Sequence, residues 1–577
     1  MINKFNQINY LLSKKNKIYL AVLFFLFFIS SFLEILSLGS IPIVVSIIAN
    51  PENLEKFNFS IIHWFRTNYS LSERQLNLWI LFATLIIFFL RSFILSFILY
   101  FHGLTIKLLK ENLSINFLKS YINADYIFFL SKNSAKIIKL QMVDVGNTCI
   151  LIYHLINFFK ESLIIISVVL FSCYLTGITT FIFFLLIAST IILYYLINRK
   201  SLNKRSKSIF QYSENIIKSL NNSIGLIKEI KFTSSESLIV EDFNKKIKFN
   251  ENLILKNNLI NSLPRFIIEF TFVAFLLLAL IYLVIINYEI YTVLPIIVLV
   301  CISAIRLIPS FTMISLSFNL IKQLSPYLES VYQEIYSNRN NSNFHKKNDD
   351  YTKLLDFKKE IFLNNINFTY PDGKKIFENF SFKFFFGKTY GIYGKSGSGK
   401  TTLLELILGL LRPSHGSITI DNLNIENIKK DWQKNIGYIS QDVYILNETL
   451  KKNILFSFEE QNFNEIKINK IFENLNLLEF LNSLPLKYNS IIDENGRNLS
   501  LGQKQRIGIA RVLYKEPQVL ILDEATNAID KQSEKIFFSY LFKAYKDKTI
   551  ILVSHDYNNL LNCDYIYDFN KNEFIKY

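Results

Sequence analysis

The stretch GKSGSGKT, Gly394 to Thr401, has the residue types and spacing of a loop that cradles phosphate. Gly394, Gly397 and Gly399 let backbone N–H groups approach an anion, with Lys395, Ser396 and Ser398 between them. Lys400 can reach the terminal phosphates of a nucleotide, and the Thr401 hydroxyl, followed by Thr402, can ligate magnesium. The preceding run TYGIY reads as a strand, and a helix after the loop would present its positive N-terminus to the phosphates. Farther on, VLILDEAT (Val519 to Thr526) is an apolar strand ending in two acids. Asp523 suits magnesium, directly or through water, and Glu524 suits polarisation of an attacking water. A glycine-rich turn and a solvated acid pair are the bland alternatives, and their occurrence in this order argues against both.

These residues need an α/β sheet domain to hold them, yet the chain as a whole is not composed like one. Of its 577 residues, 51% are hydrophobic, the mean hydropathy is +0.26, and most of the apolar excess precedes residue 320. That points to a membrane protein carrying a soluble part. Apolar spans recur near 18–48, 76–102, 150–174, 178–198, 266–287 and 292–316. Glu34, Gly39 and Pro42 suggest a kink or an early exit near the outer end of the first. The fold class expected is a membrane domain of six transmembrane helices fused to an α/β P-loop NTPase domain.

The net charge of +16 raises nucleic acid as a partner, but the lysines are scattered rather than gathered into a basic stripe. An anionic membrane face suits them better. Cys149, Cys173, Cys301 and Cys563 have no metal-site or disulfide spacing and read as small core residues. Lys4, Lys14, Lys15 and Lys17 precede the first span without an acid, so the N-terminus is expected inside; six crossings then return the C-terminal part to the same side. The loops at about 103–149 and 199–265 are long and polar, and Pro264 is their only proline, so they read as helices extending past the bilayer. YSNRNNSNFHKKNDDY (Tyr336 to Tyr351) lacks apolar periodicity. The expected organisation is a membrane domain over 1–335, a linker over 336–357 and a nucleotide domain over 358–577.

The segment NLSLGQKQR (Asn498 to Arg506), with Gln441 in YISQD, His555 in LVSHD, Asp530 in NAID and Tyr370 in FTYPDG, resembles the motif set of ATP-binding cassette (ABC) proteins. The resemblance implies ATP and Mg2+. It implies that Tyr370 stacks on adenine, Gln441 couples magnesium to the membrane part, and His555 contacts the γ-phosphate. Thr401, Gln441 and Asp523 would then hold the metal, with Glu524, His555 and Gln441 as the catalytic set. Ser500, Gly502 and Gln503 would close over the nucleotide of an opposite subunit, beside Asp530. Leu501 stands where the usual LSGGQ has its first glycine, and Asn527 and Ile529 alter the usual SALD. One cassette with six spans is half a transporter, so the expected partner is a second copy of the chain, with a similar partner chain left open.

The order of spans then cassette resembles ABC exporters, in which the tips of the two long loops rest on the cassettes; NADYIFFLSKNSAKII (Asn123 to Ile138) and GLIKEIKFTSSES (Gly225 to Ser237) match those tips. Arg91 and Arg306 interrupt apolar spans and Arg265 opens the fifth from its inner end, so all three are expected in the cytoplasmic half at similar depth. A charge near a bilayer centre costs about 2.5 to 3.5 kcal/mol even on the lenient scale. Pairing with Glu34, Glu161 or Glu269 is one explanation; a cavity that receives an anionic group is the other, favoured by arginine's fit to phosphate. The pieces FFLRSFILSFILYFH, LPRFIIEF and IRLIPS resemble segments of PglK-type flippases, bacterial ABC exporters that move lipid-linked oligosaccharides across the cytoplasmic membrane. FNFSIIHWFRTNYSL (Phe57 to Leu71) matches the position of that group's external helix. The resemblance implies an anionic amphipathic lipid as substrate. A different exporter cargo (lipid A, a peptide, a drug-like amphipath) and a non-transporting ABC ATPase stay open.

Overall fold

The computed structural model describes residues 2–49, 73–130, 132–285, 290–342, 356–395, 397–456, 463–493, 496–527, 529–571 and 573–576. The chain divides into two compact units, one of residues 1–124 and 131–343, the other of 125–130 and 344–577. Residues 57–71, matched above to an external helix, lie outside the described residues, as does Ser396.

Six helices among the described residues of the first unit are long and apolar enough to cross a membrane. They belong to Lys14–Ala49, Glu73–Ile122, the run from Ser134 through Val145–Thr176, Ile178–Gly225, Glu236–Ile285 and Ile290–Gln323. The 50-residue helix Glu73–Ile122 would extend about 75 Å at 1.5 Å per residue. That is more than twice the roughly 30 Å of bilayer hydrocarbon. The long polar loops are therefore continuations of the spans as helix, and they turn at short helices, Tyr126–Leu130 and Ile227–Phe232. Pro264 sits inside Glu236–Ile285 without ending it.

Many large side chains on these helices, among them Phe25, Phe89, Phe93 and Leu99, are exposed, as suits a hydrocarbon solvent that does not penalise apolar surface. The helices close on one another through Leu38, Ile164, Val168, Phe184, Ile268, Leu307 and Phe311. The early exit expected near Gly39 does not occur, since helix continues to Ala49. Gly39 serves close approach instead: a Cβ there would lie 2.7 Å from the Phe171 ring. The helix Ser325–Ser342 likewise runs into the stretch read as linker.

The second unit is built on two sheets. An antiparallel one has the order β2 (Lys375–Phe385), β1 (Glu360–Thr369), β4 (His415–Ile420), β5 (Leu423–Asn424). The other has the order β10 (Glu573–Lys576), β9 (Tyr565–Asp568), β3 (Thr389–Tyr393), β8 (Thr549–Val553), β7 (Val519–Asp523), β6 (Ile436–Ile439). Strands β9, β3, β8, β7 and β6 are parallel. Every residue of VLILD and TIILV is buried, which explains their unbroken apolar runs: a parallel strand is covered on both faces.

The helix Leu501–Leu513 packs so closely that Gly508 has no room for a methyl group, a Cβ there falling 2.6 and 2.7 Å from the Val443 γ-carbons. Gly508→Ala is expected to destabilise by about 1 to 3 kcal/mol through overpacking, read as a lowered thermal midpoint of the detergent-solubilised protein. An unchanged midpoint would mean that Val443 yields freely.

Candidate functional site

Parallel pairing places the carboxyl ends of β3, β8, β7 and β6 along one edge, where open α/β sheets bind ligands. Gly394 follows β3, Asp523 ends β7 with Glu524 next, Ser554 and His555 follow β8, and Gln441 lies just past β6. Four motifs far apart in sequence thus meet because of strand order alone.

The loop after β3 is shaped for an anion. Gly397 and Gly399 have φ of +81° and +101°, and a Cβ on Gly399 would meet Ile376 at 2.7 Å. The helix Lys400–Ile407 starts at Gly399 with no side-chain cap, so its first N–H groups are left for a ligand. The Ser398 hydroxyl is buried with no hydrogen-bond partner among the described residues, an orphan that a phosphate oxygen would satisfy. Lys400 Nζ donates to the carbonyls of Gly394 and Lys395 at 2.7 and 2.9 Å. Burial holds its pKa below the ordinary lysine value. A buried ammonium that donates to neutral carbonyls, with the Glu524 and Asp523 charges close enough to act on it, is poised for a further negative partner.

Asp523 is buried, and burial followed by the neighbouring Glu524 charge pushes its carboxyl above the usual range. It is hydrogen-bonded by Thr401, and the Tyr438 hydroxyl donates to its Oδ2 at 3.4 Å. The hydroxyl of Thr401, the carboxylate of Asp523 and the amide of Gln441 offer hard oxygen ligands beside two crowded acids, which fits magnesium. Thr402 shares a hydrogen bond with the Tyr370 hydroxyl at 3.0 Å, and that hydroxyl also donates to Glu405 at 3.3 Å. The Tyr370 ring packs edge-on against Phe368.

Glu524 holds a left-handed backbone, φ +51°, pinned by its N–H to the Val553 carbonyl at 3.1 Å. Its Oε1 lies 2.5 Å from His555 Nε2. Its Oε2 accepts from Gln441 Nε2 and from Asn527 Nδ2, both at 3.1 Å. Glu524, His555 and Gln441, expected to act together, do meet.

The signature segment starts its helix with a reciprocal cap: Gln503 N donates to Ser500 Oγ at 3.1 Å and Ser500 N to Gln503 Oε1 at 2.9 Å. Leu501 opens this helix, followed by Gly502, and needs no glycine-only conformation. Asp530 caps the next helix through Ser533 N at 2.8 Å and takes Arg506 at 3.1 Å. The Ser533 hydrogen bonds hold its carboxyl below the usual range.

The three arginines do not gather into one cluster of free cations. Arg91 and Arg306 converge on the fully buried Glu34, at 2.8 and 2.5 Å. Arg265 instead pairs with Glu269 one turn along its own helix, at 2.8 Å, and is largely exposed. Glu161 takes neither; it accepts from Ser310 at 2.6 Å and pairs with Lys160 at 3.1 Å. The pairing alternative thus describes this conformation, because an uncompensated cation in an apolar span costs more than an ion pair.

Sequence reasoning passed over the roles of Asn527, which it counted only as a departure, and of Glu405 and Tyr438. It took Glu34 first as a helix-bending residue. A lone acid inside KTTLLELI was the available signal for Glu405.

A family model described as "ABC transporter" matches residues 377–527. The "ABC transporter B family member 21" of Arabidopsis thaliana is 37% identical over 216 residues, 37% of this chain and 16% of its own. An "ATP-dependent lipid A-core flippase" of Aliivibrio fischeri is 37% identical over 235 residues, 40% of this chain and 40% of its own. The chain thus spans well under half the length of these curated relatives. A solved "bacterial Atm1-family ABC exporter with ATP bound" superposes with a TM-score of 0.77 at 17% identity, covering 96% of this chain and 95% of that one. The chain accordingly carries an ABC transporter cassette joined to a region with six helices, among the described residues, long and apolar enough to cross a membrane, and its overall fold is that of an ABC exporter.

Proposed function

We propose that the protein is a half-transporter of the exporter type, which couples ATP hydrolysis to translocation of an anionic amphipathic lipid, such as a lipid-linked oligosaccharide. The observation that carries it is the single edge where an anion loop, a magnesium-type oxygen set and Glu524 meet, in a chain that also bears six spans. ATP would lie with its adenine at Tyr370 and its phosphates on Gly394 to Thr402. Magnesium, held by Thr401, Asp523 and Gln441, would neutralise charge on the phosphates. Glu524 would take the proton of the attacking water, and His555 would contact the γ-phosphate, releasing its present hold on Glu524. Ser500, Gly502, Gln503 and Asp530 would meet the nucleotide of a second copy, so the unit is a homodimer. The lysine bias before the first span supports a cytoplasmic N-terminus and cassette in a bacterial inner membrane.

Arg91 and Arg306 against Glu34 are two cations and one anion, leaving one net positive charge. A phosphate headgroup entering there would compete with Glu34 for the two guanidinium forks; Arg265 would meet it only by leaving Glu269. Removing one arginine leaves a neutral pair with Glu34, so Arg91→Ala and Arg306→Ala should fold. In proteoliposomes, each is expected to lower ATP-dependent movement of a labelled polyprenyl-pyrophosphate glycan at least tenfold while the wild type moves it. Full movement by both variants at equal protein levels would remove the arginines from the cargo site. Movement of a lipid A-type amphipath instead would support the second cargo reading. ATPase activity that responds to no amphipath would favour a non-transporting ATPase.

A further inference from the structure

We infer that Asn527 is a positioning residue for Glu524: its side-chain amide, fixed in the same turn, stays on the carboxylate however Gln441 moves, and so aims the carboxylate at the attacking water. This rests on the hydrolysis reading above. Two amide donors now share one oxygen of Glu524, Gln441 Nε2 and Asn527 Nδ2, each at 3.1 Å, while His555 faces the other oxygen. The two donors differ in how they are tied. Gln441 comes from the segment after β6, on a different part of the chain, so its hold on Glu524 changes with any movement of that segment toward a metal at its amide oxygen. Asn527 lies three residues after Glu524 in the same turn, with its own N–H directed at the Glu524 carbonyl at 3.4 Å. It therefore moves with Glu524 through any rearrangement of the site.

The left-handed backbone of Glu524 fits that purpose. A carboxylate projecting from a sharp turn has rotamer freedom, and a donor fixed in the turn removes it at the oxygen that does not take the proton. The position is the one where the SALD pattern has serine. An asparagine amide reaches one bond farther than a serine hydroxyl, which lets it bridge to the carboxylate. A hydrogen bond to a charged group is stronger than one between neutral partners. Asn527 is exposed in the single chain, so its substitution removes no core packing.

The test is a double-mutant cycle in the full-length detergent-solubilised or reconstituted protein. Asn527→Leu keeps the shape and removes the donor. Its kcat for ATP should fall about tenfold, with KM for ATP within twofold of wild type and an unchanged thermal midpoint. In a Glu524→Gln background, measured by single-turnover phosphate release, Asn527→Leu should cause no further loss, because a residue acting only through the carboxylate has nothing left to aim. A kcat within twofold of wild type overturns the inference. So does the same fractional loss in both backgrounds, or a loss expressed mainly in KM. If Glu524→Gln itself hydrolyses ATP like wild type, Glu524 is not the base, and the role given to Asn527 falls with that assignment.

Discussion

Glu524→Gln is expected to slow ATP hydrolysis by two to four orders of magnitude, the range of general-base contributions, while ATP still binds. Glutamine keeps the size of the side chain and can still meet Gln441 and Asn527, but it cannot take a proton from water. Lys400, the Ser398 hydroxyl and the glycine conformations that would cradle phosphate are untouched. The variant should therefore bind nucleotide as tightly as wild type and retain it longer. Phosphate release and retention of labelled ATP, measured on the same preparation, separate the two effects. Hydrolysis above a tenth of wild type would move the base elsewhere, and His555, 2.5 Å from Glu524, would be the next candidate.

Glu34→Ala carries the largest expected cost in stability. It strips the shared counter-ion from Arg91 and Arg306 and leaves two cations facing one another inside apolar spans. Breaking a buried pair by removing one partner typically costs about 3 to 5 kcal/mol, because the remaining charge stays buried. The expected result is a clear drop in thermal midpoint and in the fraction recovered as a folded detergent complex. Combining Glu34→Ala with Arg91→Leu and Arg306→Met should restore much of the loss, since an ion cluster replaced whole by apolar groups is often close to neutral. An unchanged midpoint for Glu34→Ala would show that water or lipid headgroups already solvate these arginines.

The two sites differ in how far they were legible. The P-loop, the acid pair and the spans could be read because each is local: a glycine spacing, a strand ending in acids, a length of apolar chain. The long loops were legible as helices because they lack breakers and hold helical periodicity past the bilayer. Arg91, Arg265 and Arg306 looked alike by type and by depth, and only helix packing separates the first two meeting on Glu34 from a third held by its own helix. Depth along a span is one-dimensional information, whereas an ion pair depends on rotation about the helix axis and on which helix is the neighbour. Leu501 was legible in a different way. It was an oddity in the motif, and its place in the first turn of a capped helix explains why a glycine is dispensable there.

By itself the sequence determined the kinds of element, the number of long apolar stretches and the candidates for binding phosphate and a hard cation, because these follow from composition and short-range spacing. Tertiary structure alone decided which oxygen of Glu524 meets which donor, that Asn527 is one of them, and that Glu34 holds two arginines. Those are contacts between atoms brought together by strand order, turn geometry and helix packing, and no spacing along a single chain encodes them.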